Sequence, residues 1–70
     1  MVEVFVTNVK RVAAAKEIVA LLRENFPDSK INFDLEDRDK VLRIEGTDFQ
    51  PGKVMMLVNE TGFYCQIMED

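Results

Sequence analysis

Lys10, Arg11 and Lys16 gather basic side chains around the start of a run with helical apolar spacing. Cations at a helix start oppose its dipole by about 0.3–1 kcal/mol each, so their presence there asks for a reason. Together with Asn8 and the free N–H groups of the first turn, they would make a site for a phosphate, a carboxylate or an acidic partner. The alternative is a set of solvated side chains, with Arg11 paired to Glu60. An exposed pair of that kind contributes only about 0–1 kcal/mol.

Other chemistry-bearing residues are weaker candidates. Asp34, Glu36, Asp37 and Asp39 resemble a cation-binding run. Strand alternation, however, separates Asp34 and Glu36 from the turn residues, and the glycine and distal glutamate of a calcium loop are missing. Charged residues on an edge strand are the simpler account. Cys65 has no basic neighbour in sequence to lower its pKa, and an isolated cysteine is most often core. Met55 and Met56 fall in an apolar helix and read as adaptable packing; Met68 lies near the C-terminus. Phe5 and Arg43 on neighbouring strands suggest a base-stacking platform, but the third-strand aromatics of RNA-binding sheets are lacking. The chain has no histidine and no nucleophile paired with a base, so no catalytic residue is assigned and an enzyme is not expected. No cofactor or metal site is expected either.

Composition narrows the partners. Seventy residues fit one domain, 1–70, which buries roughly 60% of the surface of its unfolded form. A hydrophobic fraction of 47% supports a packed core. The net charge of −4 disfavours nucleic acid, whose phosphates must be neutralised, and anionic membrane surfaces. No apolar run approaches the roughly 20 residues of a membrane span, and no signal peptide is evident. A lone cysteine suits a reducing compartment, so a cytoplasmic location is expected.

These residues must be positioned by six elements. Residues 2–8 alternate as a strand, with Val2, Val4 and Val6 expected inward and Phe5 outward. A helix over about 11–25 buries Ala15, Ile18, Leu22 and Phe26, and Pro27 ends it. Residues 30–36 and 40–45 form a hairpin around Asp37-Arg38-Asp39, with Ile31, Phe33, Leu35, Leu42 and Ile44 inward. A second helix, capped by Thr47 or Asp48 with Pro51 in its first turn, buries Val54, Leu57 and Val58. Gly62 ends it in a left-handed conformation, and residues 63–68 make the last strand. The order βαββαβ with right-handed crossovers predicts an α+β, ferredoxin-like sandwich: four antiparallel strands with both helices on one face. The other face is open, and Phe5, Asn32, Asp34, Val41 and Arg43 are expected on it.

Element order and spacing resemble the heavy-metal-associated (HMA) domain family, which includes small copper chaperones. That family carries Gly-Met-x-Cys-x-x-Cys between its first strand and first helix. On this chain Asn8 takes the glycine position, Val9 the methionine, Arg11 and Ala14 the two cysteines, and Ile18 the following apolar position; Gly62-Phe63 matches a late glycine–aromatic pair. The resemblance implies the fold, but the metal ligands are absent. Soft thiolates suit soft cations, whereas a guanidinium and a methyl group offer them nothing. The expected function is a non-catalytic interaction or adaptor module, taking a protein partner or a second copy of itself. It would work through the Asn8, Lys10, Arg11 and Lys16 corner or through Phe5, Val41 and Arg43. The rival readings are an anion or small-ligand regulatory domain, and residual metal binding through Cys65 of a dimerised chain.

Overall fold

The computed structural model describes residues 1–69. Its elements are β1 (Val2–Thr7), α1 (Val12–Asn25), β2 (Lys30–Asp34), β3 (Val41–Glu45), α2 (Pro51–Glu60) and β4 (Cys65–Ile67). The strands form one antiparallel sheet in the order β2-β3-β1-β4, so each βαβ crossover passes over one intervening strand, β3 between β1 and β2 and β1 between β3 and β4. This is a small α+β ferredoxin-like fold. Both helices contribute to one core with Phe5, Ile31, Leu42 and Ile44, so they share a face of the sheet.

The helices follow the apolar spacing. Ala15, Ile18 and Leu22 are the buried line of α1, and Val54 and Val58 that of α2. Phe26 donates its N–H to Leu22 O at 2.7 Å, and Pro27 then prevents continuation. At the start of α2 the expected cap moves. Gln50 holds the N-cap position with no side-chain bond, Pro51 follows at the first helical position, and Thr47 and Asp48 lie outside. Phe49 is buried just before that turn, so core packing rather than a capping hydroxyl sets the helix start. Gly62 takes the left-handed conformation, φ 97°, and donates to Asn59 O at 3.0 Å.

All four strands are shorter than alternation predicts; β1 ends one residue early, at Thr7, and the other three are cut by specific contacts. The carboxylate of Asp34 accepts the N–H groups of Glu36 and Asp37, both at 3.2 Å, and turns the chain out of β2. Lys40 has φ 47°, so β3 begins one residue later, at Val41. Tyr64 gives its N–H to the Asn8 side chain at 2.8 Å instead of to the ladder, which leaves β4 with three residues.

The main correction concerns β1. Phe5 is fully buried, whereas Val2 is 44% exposed and Val4 and Val6 are half-buried. The strand is therefore turned over relative to the expectation: Phe5 and Thr7 face the helices, and the valines face the open side. Alternation alone cannot choose between two faces when both carry apolar residues. Thr7 shares Phe5's parity, and its hydroxyl is satisfied by Lys40 O and the Val9 N–H at the end of the strand, so Phe5 turns inward with it. Phe5→Ala is expected to destabilise by about 3–5 kcal/mol, while Val4→Ala should cost much less. Denaturant midpoints of the two variants check this, and the reverse ranking would restore the expected face.

Candidate functional site

Three connections meet at one end of the sandwich: the loop from β1 to α1, the hairpin loop after β2, and the loop from α2 to β4. Thr7 ties two of them together. Its hydroxyl donates to Lys40 O and accepts the Val9 N–H at 3.2 Å, while its own N–H donates to Asp39 O at 3.1 Å. Asn8 attaches the third loop through Tyr64. Val9, buried completely, plugs the core beneath this end.

On that frame the basic residues do not form one cluster. Lys10 and Arg11 are exposed beside a shallow depression shared with Asn8, Ala14, Glu17 and Phe63. Lys16 lies on the other flank of α1, in a groove with Val12, Val19, Phe33, Leu35 and Glu36. The expected grouping of Asn8, Lys10, Arg11 and Lys16 is thus divided, and Glu17 offsets the positive charge that remains at the depression. Arg11 is the N-cap of α1 but makes no side-chain capping bond. Among the described residues the recorded ion pair is Arg43–Glu45, so Arg11 and Glu60 are not paired.

The depression brings together Asn8, Arg11, Ala14 and Phe63. Their side chains supply no thiolate, imidazole or carboxylate. Among the described residues no three His, Cys, Asp or Glu side chains converge where they could share a metal ion. Cys65 lies in the core, and burial pushes its thiol up to about 12 from an ordinary value near 9.0. Such a thiol stays protonated at neutral pH and is a poor nucleophile and ligand.

The second surface is the open sheet face. Val2, Val4 and Val6 run along β1, with Val41 on β3 and Met68 after β4 extending the apolar strip sideways. Pairing sets Val4 opposite Arg43 and Asn32 opposite Arg43 on the other side, so Val41 and Arg43 stand on this face as expected. Phe5 does not. Arg43 Nη2 lies 3.8 Å from Glu45 Oε1, and both side chains are at least half exposed, so the pair shapes the rim without adding much stability. The result is an apolar strip on a rigid sheet, edged by Lys30, Asn32, Arg43, Glu45 and Gln66. The residues missed by sequence reasoning are the three valines and Met68. The signal that could have found them is Thr7, which shares Phe5's parity and has inward hydrogen-bonding work at the strand end.

Comparison with protein-family models, with curated proteins and with solved structures finds no match to this chain. No helix of the described residues is long and apolar enough to cross a membrane.

The buried thiol carries a pH signature. Its folded pKa lies above its unfolded one, so above pH 9 the unfolded chain binds fewer protons than the folded one. Its contribution to stability is complete below pH 9 and is lost progressively between pH 9 and 12. Cys65→Ala should therefore lose stability less steeply than the parent over that alkaline window, even if its neutral-pH stability is lower. Urea unfolding at a series of pH values tests this; parallel curves for the two proteins would contradict the burial of the thiol.

Proposed function

We propose that this chain is a non-catalytic interaction module that docks a protein partner on its open sheet face. The observation that carries the reading is the outward valine strip of β1, left uncovered while Phe5 fills the core. A contiguous apolar strip with a polar and charged rim is the usual anatomy of a protein-binding patch. The strands beneath it are hydrogen-bonded, so the patch is preorganised and little ordering entropy is lost on docking. The acidic balance of the chain and the absence of a basic stripe support a protein partner over nucleic acid. A relationship to ligand-free HMA domains, acting in the cytoplasm without a cofactor, fits the element order and the loop alignment and belongs to the same proposal.

The rivals are less well supported. Separation of Lys16 from Lys10 and Arg11 weakens the anion site, and the protonated, enclosed thiol of Cys65 weakens residual metal binding. With no histidine in the chain, proton-transfer chemistry near neutral pH has no evident agent.

A photoreactive residue placed at Val4 or Val41 should capture a discrete protein partner from the source cell's extract. The same group at Lys53, on exposed α2, should capture none, and Arg43→Glu should reduce the yield at Val41. Capture that is equal at all three positions, or absent from Val4 and Val41, would refute docking through this face.

A further inference from the structure

The two edges of the sheet are unlike. β4 has three residues, and so short an edge is a poor template for another strand. β2 has five residues, Lys30-Ile31-Asn32-Phe33-Asp34, with no proline and no bulge. Its free hydrogen-bonding groups can be assigned. Gly46 donates to Met1 O, which marks the pair of residues 1 and 46 as hydrogen-bonded. Alternation along the antiparallel ladder then turns Leu42 and Ile44 toward β1, and Val41, Arg43 and Glu45 toward β2. Their partners Lys30, Asn32 and Asp34 bond inward to β3. Ile31 and Phe33 are left with their backbone N–H and C=O groups directed outward.

We propose that this edge pairs with the β2 of a second copy, antiparallel and centred on Asn32. The two-fold axis then sets Ile31 against Phe33 of the other copy, twice, and each such pair exchanges two backbone hydrogen bonds. Asn32 meets its own counterpart. Lys30 meets the other copy's Asp34, also twice, at non-hydrogen-bonded positions where side chains approach most closely. The strand is thus self-complementary in charge, as an isologous interface requires. Asp34 engages Glu36 and Asp37 through one carboxylate oxygen, Oδ1, which leaves Oδ2 for the incoming ammonium. On the helix side, the Ile31–Phe33 contacts begin to cover the apolar groove between α1 and β2, where Val12 is 61% exposed. Lys16 and Arg23 from the two copies approach the same side, but both are exposed and their long stems can turn their charges into solvent. The product is one eight-stranded sheet with four helices on one face and both valine strips open on the other. The pairing therefore stands independently of docking on the open face.

Sedimentation equilibrium over a concentration series reaching millimolar protein tests the pairing. The parent should show a monomer–dimer equilibrium. Lys30→Asp, which removes no recorded hydrogen bond, sets aspartates against each other and should weaken the dimer by roughly tenfold or more. Asp34→Lys should do the same by setting lysines together. Mixed in equal amounts, the two variants should form a heterodimer at least as strong as the parent's dimer, because each charge then faces its opposite. Val4→Lys should leave the parent's dimer unchanged. A parent that stays monomeric, single variants that dimerise as well as the parent, or a mixture no more associated than its components would overturn the proposal.

Discussion

Thr7 sets which way β1 faces, and with it the surface the sheet presents. Among the described residues it is the buried polar side chain, and a buried hydroxyl left without partners would cost about 1–3 kcal/mol. It has them in full: its hydroxyl donates to Lys40 O and accepts from the Val9 N–H. Those partners come from the hairpin loop and the β1–α1 loop, which converge at the end of the strand. Once Thr7 points that way, the period of two sends Phe5 inward and Val2, Val4 and Val6 outward. The functional surface is a consequence of that choice.

The same latch explains the geometry of the neighbouring loops. Lys40 adopts a left-handed conformation that costs a non-glycine residue free energy. Its carbonyl is held by Thr7, its N–H reaches Asp37 O at 3.0 Å, and its ammonium reaches Leu35 O at 2.9 Å. The acidic run around it is thereby used as turn scaffolding: Asp34 and Asp37 accept backbone N–H groups from residues two and three positions on. These carboxylates read as a ligand set only while their local backbone partners are ignored.

Much of the fold was legible because its signals are local. Ile18 and Leu22 in α1, Val54 and Val58 in α2, Leu42 and Ile44 in β3, and the left-handed Gly62 all sit where spacing and residue type place them. Legibility failed where a non-local contact decided the outcome. The face of β1 depended on Thr7 meeting Lys40 across the sheet end. The short β4 depended on Asn8 taking the Tyr64 N–H, and the start of α2 depended on Phe49 entering the core. The candidate site was misread for one local reason and one inherited from β1. Lys10, Arg11 and Lys16 are close in sequence, yet the helix turns Lys16 to another flank; Phe5 appeared exposed only through an inverted strand.

The exposure of the valine face is therefore the claim on which the functional reading rests, and methyl-resolved NMR with a soluble paramagnetic probe measures it directly. The methyl signals of Val2, Val4, Val6 and Val41 should broaden strongly, while those of Val9, Val54 and Val58 stay sharp. Sharp Val4 and Val6 methyls together with a probe-broadened Phe5 ring would contradict the orientation of β1 and the docking surface built on it.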